Sequence, residues 1–360
     1  MDVSVVLVTY NHEPFIAQAI DSVLSQTTDR RVEIVIAEDR STDHTRRIVE
    51  GYAERFPERI RLLPSETNLG AVPNALRGLR AARGEFVAYL DGDDYWYPTK
   101  LGRQIAYLED HPDEPMCYHA VDVLGDAPEG AERPYGRVTE VGQLLRHNTI
   151  PSGAVLYRRE VLGEIPPWFA DLDYGDWALV LLLAEHGNLG YLDEPLGVYR
   201  AHAGGMYSGA SRLARRAADV RFFETMRQQL GPEHQSDVEV VLATARARLA
   251  REYSWAGQHR AALREAWTSL RRVPHRRELP AGDRLHILAR SGAPRAYATV
   301  GRSLRAARRA AAPRAVPAQL LRAVRERVRV GAPATDGRPE SAGPGGSRSS
   351  VPEAEVLDVG

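Results

Sequence analysis

The sequence predicts an α/β fold, a mostly parallel sheet flanked by helices and followed by a helical carboxyl-terminal region. Three observations carry this. Short β-branched apolar runs alternate with stretches of helical periodicity from residue 3 to about residue 205, the connections between them are only a few residues long, and beyond Ser211 the sequence becomes rich in Ala, Leu and Arg at helical spacing.

In order along the chain, Val3-Ser4-Val5-Val6-Leu7-Val8 reads as a strand buried on both faces. A helix follows over about Glu13–Gln26, because Phe15, Ile16, Ala19, Ile20, Val23 and Leu24 recur on one side. Val32–Ala37 is the second strand; an Asp/Ser/Thr-rich turn leads from it into a helix starting at Asp43. Ile60–Leu63 is a third strand, with a helix near Val72–Ala82, and Phe86–Leu90 is a fourth. The pattern loosens between Met116 and Pro151, then resumes at Gly153–Tyr157 and in the apolar run Trp177–Ala184. This divides the chain into a first domain over 1–210, an Arg-rich helical region over 211–330 and a Gly/Pro/Ser/Glu-rich tail over 331–360 that is expected to be disordered. Within the helical region, Leu249 to Pro274 resembles a single helix-turn-helix unit of the tetratricopeptide kind.

Composition sets outer limits. The 360 residues are 43% hydrophobic and 26% charged, which excludes a wholly disordered, collagen-like or disulfide-stapled chain. The formal net charge of -1 hides an asymmetry: residues 1–210 hold 19 basic against 33 acidic side chains, whereas 211–330 hold 26 against 10. Cys117 stands alone, so neither an internal disulfide nor a zinc set is available. Met1-Asp2-Val3 lacks the basic start of a signal peptide and no apolar run reaches the ~18 residues of a membrane span, so a soluble, cytoplasmic protein is expected.

In an open α/β sheet, ligands bind outside the carboxyl ends of the strands. Here those ends are polar and acidic: Thr9-Tyr10-Asn11, then Glu38-Asp39-Arg40-Ser41-Thr42-Asp43, then Asp91-Gly92-Asp93-Asp94-Tyr95-Trp96. Neither G-x-G-x-x-G nor G-K-[ST] follows the first strand, which argues against an NAD dehydrogenase and against a phosphate-cradling loop. Three carboxylates in Asp91–Asp94 repel one another in a closed site, and a hard divalent cation, Mn²⁺ or Mg²⁺, is the simplest means of neutralising them and of holding a diphosphate. The competing reading is a solvent-exposed acidic turn or a cap for the helix near Pro98.

These motifs together resemble glycosyltransferase family 2, with its GT-A fold. The similarity rests on Val5–Asn11, Ala19–Thr27, Glu33–Asp43, Asn68-Leu69-Gly70 and Gly84–Trp96, which follow one another in the family's order, and it extends from residue 3 to about 205. The resemblance implies that Thr9, Tyr10 and Asn11 line a nucleotide pocket, with Asp39 accepting a hydrogen bond from the base. It matches Asp91 and Asp93 to the DxD motif, with Asp93 as direct metal ligand, Asp91 beside the ribose or a metal-bound water, and Asp94 orienting the sugar. Packing of Tyr10 over the strand end and a helix-start role for Asp39 are the structural alternatives. Asp176 matches the family's general base at a helix start, where a cap is the alternative role; Gly175 replaces the usual Glu, which leaves Asp171 or Asp173 as stand-ins. Arg200 and His202 could face the diphosphate and the metal, respectively. Asn74-Ala75-Leu76 stands where many members carry Ala-Arg-Asn, and no Q-x-x-R-W follows Asp176, which argues against a processive synthase.

The implied activity is inverting, metal-dependent transfer of a sugar from a nucleotide-diphosphate donor to a hydroxyl of an acceptor glycan, lipid-linked sugar or small molecule, in cell-surface glycan, glycolipid or other glycoconjugate assembly. A nucleotide-sugar-binding module without turnover is the alternative, and a nucleotidyltransferase is disfavoured by the lack of a Gly-rich Arg/Lys loop. Arg-rich residues 284–329, with the single acid Glu326, suit a peripheral contact with the inner face of the cytoplasmic membrane or docking on the acidic half; no motif points to nucleic acid.

Overall fold

The computed structural model describes residues 1–125, 137–138, 141–202 and 211–273, together with Arg284 and Ile287. The expectations for most of 284–329 and for the tail 331–360 lie outside the described residues. Met1–Ala298 packs as one compact unit.

Strands β1 (Val3–Thr9) and β2 (Val32–Glu38) are buried at every residue, as their continuous apolar runs require of strands covered on both faces. They pair in parallel with each other, β2 pairs with β3 (Ile60–Pro64) and β1 with β4 (Phe86–Asp91), again in parallel. The intervening helices are α1 (Ile16–Leu24), α2 (Thr45–Arg55) and α3 (Ala71–Ala81). Helix α1 starts three residues later than Glu13 because the Glu13 amide donates to Asp43 Oδ2 at 3.1 Å, which ties that segment to the loop after β2.

Beyond β4 the sheet becomes mixed. It continues through β7 (Leu156–Arg158), β6 (Met116–Gly125) and β8 (Leu189–Ala201) to the two-residue β5 (Tyr95–Trp96), in the order β3-β2-β1-β4-β7-β6-β8-β5. β7 is antiparallel to both β4 and β6, whereas β6 and β8 run parallel. Thus part of the segment where periodicity loosens is a strand, β6, whose last four residues are exposed and so carry no burial pattern. Helices α4 (Lys100–Asp110), α5 (Val141–Arg146), α6 (Arg159–Leu162) and α7 (Gly175–Ala184) complete this part, and α8 (Arg212–Gln229), α9 (Gln235–Trp255) and α10 (His259–Arg272) follow.

One apolar core, around Val5, Leu7, Ile20, Ile34, Ile36 and Leu101, fills the sheet face covered by α1, α2 and α4. The other, around Val6, Leu76, Leu144, Phe169 and Leu181, runs on without a break into Phe222, Met226, Val238 and Leu242 of α8 and α9. Trp177 of α7 makes the junction, its ring stacked on Phe222 at 4.7 Å and its indole N–H donating to the Leu144 carbonyl. No described helix is long and apolar enough to cross a membrane.

Candidate active site

The parallel strands β1, β2 and β4 end level, with Thr9 beside Glu38 and Val8 beside Asp91, so their three following loops meet at one edge. Two residues there adopt left-handed backbone despite carrying side chains, Asn11 at φ 56° and Arg40 at φ 62°. They allow the first two loops to interlock: the Asn11 amide donates to Ser41 Oγ at 3.0 Å and Asn11 Oδ1 accepts from the Thr42 amide at 2.7 Å. Thr9 is buried, with Oγ1 3.3 Å from His12 Nδ1, while Tyr10 is 40% exposed over the rim.

Asp39 is buried, and its two carboxylate oxygens accept from the amides of Leu69 and Gly70 at 2.8 and 2.9 Å. Burial nevertheless pushes its carboxyl above the usual range. It therefore fastens the entry to α3, and this is also where Asn68-Leu69-Gly70 joins the site. Asn74 is turned away, its amide donating to the Ala37 carbonyl at 2.8 Å inside the sheet.

The Asp91–Asp94 turn crosses closely over the first loop. A Cβ at Gly92 would lie 2.7 Å from His12 Nδ1 and 2.8 Å from Thr9 Oγ1, so only glycine fits. Asp91 Oδ2 accepts from Ser152 Oγ at 2.5 Å. Burial and then the neighbouring Asp93 charge push the Asp91 carboxyl up to about 7. Asp94, whose Oδ1 accepts from the Arg200 amide at 2.8 Å, is driven up to about 9 by burial and by both neighbouring carboxylates. Asp93 Oδ2 meets two imidazoles, His202 Nε2 at 3.0 Å and His12 Nε2 at 3.7 Å. Burial lowers the His12 pKa although Asp93 opposes this.

Arg200 sits between aromatic rings, its guanidinium 5.0 Å from the Phe15 centroid and 4.6 Å from that of Tyr95. It donates to the Asp93 carbonyl and to Gln18 Oε1. Asp176, in the first turn of α7, accepts from Asn148 Nδ2 at 3.4 Å; burial raises its carboxyl, and it lies near enough to Asp91 to raise that group further. Of the residues singled out in the sequence, Thr9 and Asp91 end β1 and β4, and Tyr10, Asn11, Asp39, Asp93 and Asp94 lie in the loops after β1, β2 and β4. Asp176 lies in the first turn of α7, and Arg200 and His202 lie at and just after the end of β8. Asp173, by contrast, is held by a two-pronged bond from Arg221 of α8, at 2.7 and 3.0 Å, and Asp171 is exposed. A Cβ at Gly175 would lie 3.1 Å from Val72 Cγ1, so a side chain there would press on Val72.

Asp93 and the imidazole of His202 against it are hard oxygen and nitrogen donors of the kind Mn²⁺ or Mg²⁺ takes. Among the described residues, the three-residue group whose donor atoms already lie within 4.8 Å of one another is Glu185, Glu233 and His234, on another part of the chain. Sequence reasoning missed His12, Gln18, Asn148 and Ser152. His12 follows Asn11 directly and could have been included with that motif. The others are placed by tertiary pairing alone, Ser152 through the turn that precedes the three-residue β7.

Comparison with known proteins bears on the family and the fold. A family model described as Glycosyl transferase family 2 matches residues 4–165. A Nostoc protein described as an uncharacterized glycosyltransferase is 30% identical over 228 residues, covering 59% of this chain and 68% of its own. The chain belongs to glycosyltransferase family 2. An uncharacterized Mycobacterium tuberculosis protein is 38% identical over 223 residues, and the match spans 61% of this chain but only 64% of that relative's length. An Escherichia coli relative, named UDP-Glc:alpha-D-GlcNAc-diphosphoundecaprenol beta-1,3-glucosyltransferase, is 28% identical over 224 residues, 61% of this chain and 84% of its own. Among solved structures, Staphylococcus aureus TarS 1-349 in complex with UDP-GlcNAc superposes with a TM-score of 0.58 at 21% identity, covering 76% of this chain and 82% of that one, which establishes the GT-A-like fold of this family 2 member.

Proposed function

We propose that this chain is an inverting, metal-dependent glycosyltransferase that moves a sugar from a nucleotide-diphosphate donor to an acceptor hydroxyl. The observation that carries the reading is the convergence of Asp91, Asp93 and Asp94 with Asp176 at the carboxyl edge of the sheet, where burial raises the pKa values of Asp91, Asp94 and Asp176 and neighbouring carboxylates raise those of Asp91 and Asp94 further. The nucleotide would lie over Thr9, Tyr10 and Asn11, with Asp39 toward the base. Asp93 and His202, with Asp91, would hold Mn²⁺ or Mg²⁺, which offsets charge on the donor diphosphate. Arg200, already fixed between Phe15 and Tyr95, adds positive charge at the same edge, and Asp94 orients the sugar.

Asp176 then takes the proton of the acceptor hydroxyl as that oxygen attacks the anomeric carbon from the face opposite the leaving nucleoside diphosphate. Its raised pKa brings it toward the operating pH, where a general base works best, and such a base supplies ~10²–10⁴-fold. Asn148 orients the carboxylate. The donors named for TarS and the E. coli relative, UDP-GlcNAc and UDP-Glc, support a nucleotide-sugar donor, and the relative's lipid-linked acceptor supports glycan assembly at the inner face of the cytoplasmic membrane. Residues 1–210 carry the chemistry in this reading.

Release of nucleoside diphosphate from a panel of sugar nucleotides with Mn²⁺ or Mg²⁺ tests it. Asp176→Asn should slow transfer by ~10²–10⁴-fold while donor binding persists, and Asp93→Ala should abolish the cation's effect on binding. Unchanged transfer in both variants overturns the assignment; donor binding with no release under any condition favours a binding module instead.

A further inference from the structure

Outside the catalytic edge, the most unusual surface belongs to the last two described helices. Trp255 and Trp267 are each 54% exposed. On α10, Arg260, Arg264, Trp267 and Arg271 are all exposed, and their spacing of four, three and four residues puts them on one line. The opposite side of the same helix, with Ala262, Glu265, Ala266 and Ser269, is buried. At the end of α9 the pattern repeats, Arg251 lying 5.3 Å over the ring of the exposed Trp255 four residues on. No acidic side chain between residues 251 and 272 is exposed: Glu252 is partly buried, and Glu265 is buried against Arg246.

We propose that this arginine and tryptophan face docks on an anionic phospholipid bilayer. Its partner must accept apolar surface and supply negative charge along one helical line, and both demands are met where headgroups meet acyl chains. An indole seats its ring among the upper acyl carbons with its N–H toward the headgroups. Arginines on either side of it meet the anionic headgroups, and a helix with such a stripe lies flat in the interface. The stripe from Arg260 to Arg271 is about 16 Å long at 1.5 Å per residue, enough to lay one tryptophan and three guanidinium groups on the surface together. A nucleic acid would satisfy the arginines but leave Trp267 without an apolar partner, and the helix carries no base-reading motif.

The test uses the full chain and vesicles of phosphatidylcholine, alone or mixed with phosphatidylglycerol. Wild type should float with the anionic vesicles only, release at high salt, and show blue-shifted tryptophan emission quenched by brominated lipid. Trp267→Phe combined with Trp255→Phe should remove that quenching. Arg260→Gln with Arg264→Gln and Arg271→Gln should weaken partitioning by roughly 100-fold, taking about fivefold for each arginine lost, with an unchanged unfolding curve. Equal binding by that variant, no binding by wild type, or stronger binding of wild type to a duplex oligonucleotide than to the vesicles overturns the proposal. No donor sugar is needed, so this result and that of the transfer assay fail or succeed separately.

Discussion

Asp91 and Asp94 are carboxyl groups whose folded-state pKa values, about 7 and about 9, stand above the ordinary 3.8. The folded chain therefore holds protons that the unfolded chain has released, and the stability this gives is complete below about pH 4 and is lost as pH rises through 7 and 9. In the metal-free protein these two groups should accordingly lose their contribution to stability between pH 5 and pH 9, read as a widening difference in thermal midpoint between wild type and variants that cannot ionise there. Mn²⁺ should restore stability most at the alkaline end, where the carboxylates are ionised. Asp94→Asn should raise the midpoint of the metal-free protein at pH 8 relative to wild type, and by less at pH 5; an Asp94→Asn midpoint no higher than that of wild type at pH 8 would contradict the arrangement. Gly92→Ala works by shape alone. Its methyl would press on His12 and Thr9, and it should weaken donor binding in titrations even where folding survives. At this scale the sequence was informative wherever chemistry follows a strand directly, as for Asp39, Asp91 and Asp93. It was silent on Ser152, because nothing local marks a serine that reaches 61 residues back to Asp91.

Among the elements, the β4–α3 corner and α4 show how the sheet edge is kept in place. Gly84 lies where a Cβ would be 2.5 Å from the Ser4 amide nitrogen, a backbone atom that cannot swing aside. Ser4 Oγ itself donates to the buried Glu33 and accepts from the Arg83 and Gly84 amides. Gly84→Ala should cost about 1–3 kcal/mol in chemical denaturation, the order found for overpacked cores. On α4, Lys100 is fully buried, its ammonium 3.7 Å from the Trp96 ring centroid and 3.4 Å from the Val155 carbonyl. Burial drives its pKa well below 10.5, so the unfolded chain binds a proton that the folded chain resists, and folding gains stability as pH rises toward 10.5. Lys100→Met should therefore stabilise the protein, by more at pH 6 than at pH 9, in paired melts. The first four strands were legible because short, mainly apolar runs bounded by polar turns mark them, fully buried in β1 and β2 and only partly so in β3. β7, three residues long, and β6, half exposed, offer no such run, and the mixed half of the sheet was hidden for that reason.

Across the molecule, the change of composition near residue 210 does not coincide with a break in packing. Phe222, Phe223 and Met226 of α8 belong to the same apolar core as Leu181 of α7 and Val6 of β1. A chain stopped at residue 210 should therefore expose that face and aggregate, which size-exclusion chromatography of the truncated protein against the full chain would show; a monodisperse, cooperatively melting fragment would refute this. The charge contrast between the two stretches was plain in the sequence, but their shared core was not, because helical periodicity shows that a face is apolar without saying what covers it. The fork from Arg221 to Asp173 joins α8 to the loop that begins the helix of Asp176, and Tyr174 beside it bonds Asp219 at 3.1 Å. The loop ahead of Asp176 is thus propped by a helix beyond residues 4–165, which the family model matches. Recombination between relatives at residue 210 would join a catalytic loop to a foreign prop, so functional chimeras should be recovered chiefly when α8 travels with the parent that donates Asp173.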